Sequence, residues 1–169
     1  MEYLDIISEK DIVLGRATRN YIHKNYLIHR GVHVFVINNK GEILIQKRSK
    51  FKKDRSGYFD SSIGAQVNSN ESYREAAVRE AYEDLGVKLK KEELIKVCKY
   101  KAFTRRQREL RILYILIYYG PFKIDKEEVE WIKFYNVKVI KKLLKDKNLN
   151  FTNGFKLSFK LYLRYLHKK

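Results

Sequence analysis

Residues 71–87 have the sequence ESYREAAVREAYEDLGV, which predicts a helix with a defined start and a defined end. Ser72 and Glu75 have the spacing of a capping box, in which each side chain accepts a hydrogen bond from a backbone N–H of the first turn. Gly86 is well placed to end the helix, because glycine readily adopts the left-handed conformation of a helix C-terminus. The sequence therefore predicts one complete helix in the middle of the chain.

Three carboxylates on this helix, Glu80, Glu83 and Asp84, are spaced three and four residues apart. At 3.6 residues per turn they share one face. Like charges so close raise one another's pKa values, and a divalent cation such as Mg²⁺ or Mn²⁺, which prefers oxygen ligands, removes that repulsion. Arg79 can orient a carboxylate through a forked pair. The alternative is a solvated helix face with a Glu75–Arg79 pair, and the spacing of the trio alone leaves both interpretations open.

On both sides of this helix the sequence predicts β-strands, and further helices follow near the C-terminus. Residues 32–38 alternate in the manner of a strand, and with residues 42–47 they predict a hairpin that turns at Gly41. The basic segment 49–57 predicts a loop, and residues 58–67 predict extended chain. The other predicted elements are strands at 94–103, 110–119 and 127–135 and helices at 136–146 and 155–167, with none assigned to residues 1–31. This alternation indicates an α/β fold.

Composition predicts one globular domain. A chain of 169 residues, 44% of them hydrophobic, can bury a sizeable core and is unlike a disordered protein. Cys98 is the single cysteine, so no internal disulfide is possible, which fits a reducing compartment. The first residues lack the apolar segment of a secretory signal, and no apolar run approaches the roughly 20 residues that span a bilayer. We expect a soluble, cytoplasmic protein.

The chain is strongly basic, with 37 Lys and Arg residues against 20 Asp and Glu residues and a formal net charge of +17. A field of that sign attracts polyanions such as nucleotides, diphosphates, RNA or an anionic membrane surface. The alternative is a proteome rich in lysine, which would give a similar excess whatever the function. The charge therefore makes RNA a candidate partner without favouring it over a small anionic substrate.

Taken over residues 65–87, this segment resembles the Nudix box. That motif has a glycine, five residues, Glu, seven residues, Arg-Glu, an apolar residue, any residue, Glu-Glu, any residue, a glycine and an apolar residue. Asp84 replaces the second Glu of the pair and keeps its charge. Ala81 is a small residue at the apolar position after Arg-Glu, and Ala65 occupies the opening glycine position. The residues that match outright are Glu71, Arg79, Glu80, Glu83, Gly86 and Val87.

The resemblance implies the Nudix fold, an α/β/α sandwich with a mixed sheet, as a single domain over residues 1–169. It also implies a pyrophosphatase that uses Mg²⁺ or Mn²⁺. Glu80, Glu83 and Asp84 are the expected metal ligands, helped by the backbone carbonyl of Ala65. The catalytic residues expected are Glu83, as the acceptor of the proton from the attacking water, and Arg79, which orients the carboxylates.

The general base of some Nudix enzymes is instead a carboxylate outside the box. Glu128 and Glu130, near the strand predicted at 127–135, are the candidates for that role here. The sequence leaves the choice between these residues and Glu83 open.

Over residues 3–135 the chain also resembles the Nudix branch related to isopentenyl-diphosphate isomerase. The resemblance implies that Arg48 and Lys52 hold the substrate diphosphate, and both precede the box, where cations could meet a metal-bound diphosphate. The residues that carry it are Asp5, Gly15, Arg19, His23, His29, Arg30, Gly41, Gln46, Lys47, Arg48, Ser49, Lys52, Gly57, Asp60, Ser61 and Ser62.

The catalytic residues of the isomerases are missing. Gly64 and Gln66 stand where isomerases have a catalytic cysteine and a metal-binding histidine, and Arg111 falls at or near a second acidic position. Glu109 can preserve the first acidic position. His29 matches a metal-site histidine, but without the other ligands we expect it to be a hydrogen-bonded strand residue, and we expect no metal cluster of His23, His29 and His33.

The sequence thus favours Mg²⁺-dependent hydrolysis of a diphosphate linkage in a nucleoside-diphosphate-like or related small anionic substrate. One alternative is a Nudix-fold protein that binds nucleotides or RNA, or processes RNA, without this activity. A second is an isomerase with altered machinery, against which the missing cysteine argues. The substrate is not predicted, because specificity in such folds comes from loops outside the motif.

Overall fold

The computed structural model describes residues 2–105 and 107–168 and has a mixed β-sheet with helices on both faces. Its strands are β1 (Tyr3–Ile7), β2 (Val13–Thr18), β3 (His29–Ile37), β4 (Ile43–Arg48), β5 (Phe59–Asp60), β6 (Ile63–Gln66), β7 (Ile95–Phe103), β8 (Arg108–Ile117) and β9 (Val129–Tyr135). Its helices are α1 (Arg19–Lys24), α2 (Tyr73–Leu85), α3 (Val137–Leu143) and α4 (Asn153–Leu166), with a 3-10 turn at Lys91–Glu93.

Strand β3 is the centre of the sheet. It pairs in parallel with β8, from His29↔Glu109 to Ile37↔Ile117, and antiparallel with β6. With β4 it shares only the pair Ile37↔Ile43, although the two strands form the predicted hairpin. Beyond that pair β4 turns to β5 and β9 instead. The sheet therefore forks into two branches, one formed by β3 with β6, β7 and β8 and the other by β4 with β5 and β9. Residues from both branches line the cavity described below.

The side chains of β3 alternate between two apolar cores, as the period of a strand requires. Val32, Val34 and Val36 pack with α2 on one face, and Phe35 and Ile37 pack with α3 and α4 on the other. The buried residues that the helices contribute are Ala76, Ala77, Ala81 and Leu85 from α2, Ile140 from α3 and Phe155, Phe159 and Tyr162 from α4. This arrangement confirms the predicted α/β/α sandwich with a mixed sheet.

Helix α2 begins and ends as its sequence predicts. The Ser72 side chain accepts from Glu75 N at 3.3 Å, and the Glu75 carboxylate accepts from Ser72 N at 2.8 Å. Gly86 has φ +67, and a Cβ there would lie 2.8 Å from Cβ of Lys123. The caps thus set both the length of α2 and the faces that its side chains cover.

Other element boundaries differ from prediction by two or three residues. Helix α4 begins at Asn153 rather than 155, because the Thr152 side chain caps it by accepting from Phe155 N at 3.0 Å. Strand β8 ends at Ile117, just before Gly120 and Pro121 interrupt the pattern. Within residues 2–105 and 107–168, none of the helices is long and apolar enough to cross a bilayer.

The unassigned N-terminal segment is a β-ribbon of β1 and β2 followed by α1. Leu4 pairs with Asn68, beside the start of α2. Arg30 on β3 is held by Asp5 at 3.3 Å and by Asp11 at 2.6 Å. These ionic contacts attach the ribbon to the sheet, and its mostly exposed second strand explains why no hydrophobic pattern marks it.

Candidate active site

A cavity of about 630 Å³ lies where α2, both branches of the sheet and the loop after β4 meet. All but three of the described residues that line it have polar or charged side chains. The exceptions are Gly64, Ala65 and Gly154. The residues expected to bind metal and those expected to bind diphosphate all line this one space.

Arg79 holds together the parts of the predicted motif. Its Nε and Nη2 donate to the two carboxylate oxygens of Glu71 at 2.8 and 3.0 Å. Its Nη1 donates to Glu80 at 2.6 Å and to Glu83 at 3.1 Å, and its Nη2 also reaches the backbone carbonyl of Gln66 at 3.2 Å. The hydrogen bonds to Glu71 raise the pKa of Arg79. Arg79 therefore positions the carboxylates relative to strand β6.

The acidic face of α2, formed by Glu80, Glu83 and Asp84, opens into the cavity. Asp84 is 7% exposed, and burial raises its pKa to about 8, with further contributions from the negative charges of Glu80 and Glu128. Burial also raises the pKa of Glu80, an effect that Arg79 partly offsets. These carboxylates disfavour one another's ionised forms, which is the condition that a bound cation relieves.

The donor set fits a hard divalent cation such as Mg²⁺, which takes carboxylate oxygens and retains several waters. Among residues 2–105 and 107–168, no group of three or more His, Cys, Asp or Glu side chains is already arranged to hold a metal ion. Arg79 instead engages Glu80 and Glu83. Binding a cation on this face therefore requires these two carboxylates to turn from Arg79 towards Asp84.

The two carboxylates outside the motif lie in different places. Glu128 lines the cavity, contacts Lys52, and is close enough to raise the pKa values of Asp84 and Glu80. Glu130 forms an ion pair with Lys47 at 3.1 Å and is not among the residues that line the cavity. Of the two, only Glu128 is within reach of a substrate in this cavity.

The two expected diphosphate ligands, Arg48 and Lys52, both line the cavity. Arg48 donates from Nη2 to the backbone carbonyl of Asp54 at 3.1 Å and lies 3.7 Å from Asp60, while its buried Nε has no hydrogen-bond partner. Arg55, which sequence reasoning did not single out, lines the same space. The cations thus lie across one cavity from the carboxylates of α2.

A second cluster joins β3, β6, β8 and α1 at the inner end of the cavity. His29 contacts the carbonyl of Leu27 through Nδ1 at 3.0 Å and Glu109 through Nε2 at 3.3 Å. The Gln66 amide lies 2.6 Å from Nε2 of His23 and 3.1 Å from Nε2 of His29. His29 is thus the hydrogen-bonded strand residue expected from the sequence.

Glu109 in this cluster has a cation of its own. The carboxylate contacts the guanidinium of Arg111, and both side chains are almost completely buried. Burial alone would raise the pKa of Glu109, but Arg111 and His29 hold it far below its usual range. Arg111, which falls at or near a position that the resemblance expects to be acidic, is therefore the buried counter-ion of Glu109.

Sequence reasoning missed most of the cavity floor, which includes Gln46, Asp60 and Thr152. The Thr152 hydroxyl donates to Asp60 at 2.7 Å, joining the start of α4 to the end of β5. A usable signal was the presence of polar residues within otherwise apolar strands, such as Gln46 in EILIQK, because an unpaired polar group is costly to bury.

Comparison with known proteins agrees with this geometry. The sequence profile of the NUDIX domain matches residues 27–153. A protein of Yersinia pestis described as an uncharacterized Nudix hydrolase is 29% identical over 133 residues, which is 77% of this chain and 70% of that protein.

Two solved structures are similar in fold. DR0079 from Deinococcus radiodurans superposes with a TM-score of 0.81 at 23% identity, covering 95% of this chain and 99% of that one. The Nudix domain of Shewanella oneidensis NrtR, solved with ADP-ribose, superposes with a TM-score of 0.63 at 14% identity, covering 89% and 99%. The family profile extends over more than half of the residues and includes α2 and both branches of the sheet, so this chain belongs to the NUDIX domain family and is a Nudix hydrolase, an enzyme that hydrolyses acid anhydrides.

Proposed function

We propose that this enzyme is a Mg²⁺-dependent pyrophosphohydrolase that cleaves the diphosphate linkage of a small, nucleoside-diphosphate-like substrate. The observation that carries the proposal is the placing of carboxylates and cations around one cavity. Glu80, Glu83 and Asp84 face it from α2, and Arg48 and Lys52 face it from β4 and the following loop. A diphosphate bridged to a cation needs both kinds of group within one small volume.

In this proposal Glu80, Glu83 and Asp84 hold the divalent cation, helped by the backbone carbonyl of Ala65. A cation bound there would polarise the phosphoryl group and make the attacking water easier to deprotonate. Arg79 acts through Glu71, Glu80 and Glu83 and is therefore a positioning residue rather than a group that touches the substrate.

Glu83 remains our first choice for the group that accepts the proton from water. Its side chain is 53% exposed, so it can turn from Arg79 into the cavity with little loss of packing. Glu128 is the second choice, because it lines the cavity and its partner Lys52 can release it when Lys52 binds a phosphate. Arg48 and Lys52 neutralise the charge that develops on the leaving phosphate.

The test is phosphate release from a panel of nucleotide sugars, dinucleotides, nucleoside triphosphates and capped RNA, with Mg²⁺ and with Mn²⁺. On the substrate found, Glu83→Gln should lower kcat by about two orders of magnitude or more while the fold is retained. Glu92→Gln, an exposed residue of the 3-10 turn, is the matched control and should stay within about twofold of wild type. Near wild-type activity of both Glu83→Gln and Glu80→Gln would show that the acidic face has another role.

The relation to the isomerase branch is part of the same proposal. Its support is that His23 and Glu109 line the cavity and that His29 contacts both, with Nε2 3.3 Å from Glu109 and its ring centroid 5.2 Å from that of His23. Isomerisation itself is not proposed, because Gly64 and Gln66 offer no proton donor and acceptor for an alkene. Incorporation of solvent deuterium into isopentenyl diphosphate, followed by NMR, would overturn this exclusion.

The single domain over residues 1–169 is likewise proposed. The ion pairs of Arg30 with the N-terminal ribbon and the packing of α4 into the second core support it. Binding of RNA and a cytoplasmic location stay predictions from composition.

A further inference from the structure

The floor of the cavity, formed by His33, Gln46, Asp60, Arg111, Thr152 and Gly154, offers hydrogen bonds rather than apolar contact. Among the described residues that line the cavity there is no Phe, Tyr or Trp, and Ala65 has the only aliphatic side chain. A nucleobase is usually held by stacking on an aromatic ring, and an isoprenoid chain needs apolar walls. The floor therefore suits a polar group beyond the diphosphate better than an isoprenoid chain or a base that stacks on Phe, Tyr or Trp.

A chain of polar contacts behind the floor reaches His33. Burial raises the pKa of the Tyr100 hydroxyl, and Arg111 lies close enough for its positive charge to lower that pKa by a smaller amount. The Tyr100 hydroxyl lies 2.8 Å from Oγ of Ser158, and Oγ of Ser158 lies 2.7 Å from Nδ1 of His33. Donation along this chain from Tyr100 to Ser158 and from Ser158 to Nδ1 of His33 leaves the hydrogen on Nε2.

The Nε2–H of His33 lies at the surface of the cavity, between two glycines. A Cβ added at Gly64 or at Gly154 would lie 3.3 Å from Nε2. A Cβ at Gly154 would also lie 2.7 Å from Nη1 of Arg111, so the absence of a side chain leaves room in front of both donors. Burial lowers the pKa of His33 to about 3, so the ring is a neutral donor at physiological pH.

The charges of the floor balance. Arg111 is paired with Glu109, Arg48 lies beside Asp60, and His33 is neutral. The floor has donors on His33 and Arg111 and acceptors on Asp60, and the buried amide of Gln46 supplies one of each. A phosphate only accepts hydrogen bonds and would need a net positive site, whereas a hydroxyl both donates and accepts. A mixed, neutral lining therefore suits hydroxyl groups.

We propose that the cavity floor is a sugar site, in which His33 and Arg111 donate to the hydroxyls of a sugar attached to the scissile diphosphate. The inference rests on the proposed function and names its substrate class as a sugar joined through a diphosphate to a second group. The second group, such as a nucleoside, lies outside the floor. His33 is a specificity-determining residue here and takes no part in the hydrolysis.

The first test compares substrates that share a nucleobase, with UDP-glucose and ADP-ribose set against UDP and ADP. The wild-type enzyme should favour the sugar-bearing member by at least about tenfold in kcat/KM. His33→Asn keeps a polar atom near Ser158 and removes the donor that faces the cavity, so it should lower kcat/KM for the sugar-bearing substrate by roughly 3- to 10-fold and lower kcat/KM for UDP and ADP by much less. His33→Gln, whose amide reaches the position of Nε2, should recover part of the preference.

The matched control is His167→Asn, at an exposed position after α4, and it should change neither class of substrate. Two results would overturn the sugar site. One is a wild-type enzyme that cleaves UDP and ADP as well as their sugar derivatives. The other is an equal loss on both classes in His33→Asn, because a residue that only supports the fold would affect all substrates alike.

The second test is independent of turnover. Long-range ¹H–¹⁵N NMR of the imidazole nitrogens should show His33 in the Nε2–H form, and adding glucose 1-phosphate should shift the Nε2 signal. Inorganic phosphate at the same concentration should leave it in place. An Nδ1–H form, no shift with glucose 1-phosphate, or an equal shift with phosphate alone would overturn the sugar site. Absence of hydrolysis with every compound would instead overturn the proposed function, and the NMR result would still decide the sugar site.

Discussion

Asp84 and Glu109 are both buried carboxylates that line the same cavity, yet their surroundings have opposite effects. Asp84 lies among Glu80 and Glu128, and its pKa rises to about 8. Glu109 lies against Arg111 and His29, and its pKa falls far below the usual value. At one end the carboxylates Glu80, Glu83, Asp84 and Glu128 outnumber the cations Arg79 and Lys52, which suits a bound metal ion, whereas at the other end Arg111 already balances Glu109.

The largest effect on stability is expected at the end of the cavity where Arg111 pairs with Glu109. Arg111→Met leaves Glu109 buried without its main partner, and we expect a loss of about 3–5 kcal/mol in the free energy of unfolding. The measurement is urea denaturation at pH 7. Arg108→Met on the same strand is the control, since Arg108 makes an exposed ion pair with Glu9 at 3.4 Å and a cation–π contact with the Phe103 ring at 4.9 Å, and its loss should cost about 1 kcal/mol or less.

The double variant Arg111→Met with Glu109→Gln separates charge from packing. Because it removes the uncompensated carboxylate, it should be more stable than Arg111→Met alone. If the double variant is less stable than Arg111→Met alone, the guanidinium acts mainly through packing. The proposed difference in charge between the surroundings of Asp84 and Glu109 would then be wrong.

At the opposite end of the cavity, Asp84→Asn should raise the free energy of unfolding rather than lower it. Without metal, removing a carboxylate that burial and two neighbours disfavour should stabilise the protein by about 1–3 kcal/mol. Mg²⁺ at about 100 times its Kd should add about 2.7 kcal/mol to wild type and much less to the variant. Differential scanning fluorimetry with and without Mg²⁺ measures both effects. An unchanged response to Mg²⁺ would place the cation elsewhere.

A smaller effect is expected in the pH dependence of the free energy of unfolding, to which His33 contributes. Its pKa of about 3 in the folded protein lies below the ordinary value, so the unfolded chain binds the extra proton, and stability is lost as pH falls from about 6.5 towards 3. Arg111 and Arg55 reinforce this shift, while Asp60 and Glu109 oppose it. From pH 7 to pH 5 the contribution of His33 should fall by about 2 kcal/mol.

Asp84 and Glu80 act in the opposite direction in this window, because their raised pKa values favour the folded state at lower pH. The quantity to measure is therefore the difference in unfolding free energy between wild type and His33→Asn at each pH. That difference should shrink as the pH falls. A constant difference would mean that His33 takes up a proton as readily in the folded protein as in the unfolded chain.

The smallest effect concerns the net charge of +17. A small substrate that touches Arg48, Lys52 and one or two other cations should show only a shallow salt dependence. Binding of a single-stranded RNA of about 20 nucleotides, measured between 50 and 300 mM salt, should be weak, because the basic residues are spread along the chain and no RNA-binding motif accompanies them. Each neutralised phosphate of a single strand adds about 0.7 to the slope of log affinity against log salt, so a long RNA bound to a basic face would show a steep slope. Submicromolar affinity at the higher salt with a slope steeper than about −4 would instead indicate an RNA-processing enzyme or an RNA-binding module.

The sequence predicted well what local chemistry determines. The capping box and Gly86 specify where α2 begins and ends, and helical spacing places Glu80, Glu83 and Asp84 on one face. The strands on either side of α2 were visible from apolar alternation. Their boundaries shifted where one side chain intervened, as when Thr152 capped α4 two residues early.

The sequence did not predict the cavity floor, because residues far apart in the chain form it. His33 and Ser158 are separated by 125 residues, and Asp60 and Thr152 by 92. No local pattern reports such pairs, and each residue alone is an ordinary polar side chain. The N-terminal ribbon was missed for another reason, since its contacts with Arg30 are ionic and leave no hydrophobic period.

The parallel pairing of β3 with β8 has a consequence for how the protein is made. His29 pairs with Glu109 and Ile37 with Ile117, so the two central strands meet only after the ends of a long intervening segment are brought together. Such non-local pairing slows folding, because the entropy of loop closure is lost before the contacts compensate for it. On the ribosome, Thr152 and Gly154 are synthesised later still, so a nascent chain can contain the whole acidic face of α2 well before it has a closed cavity.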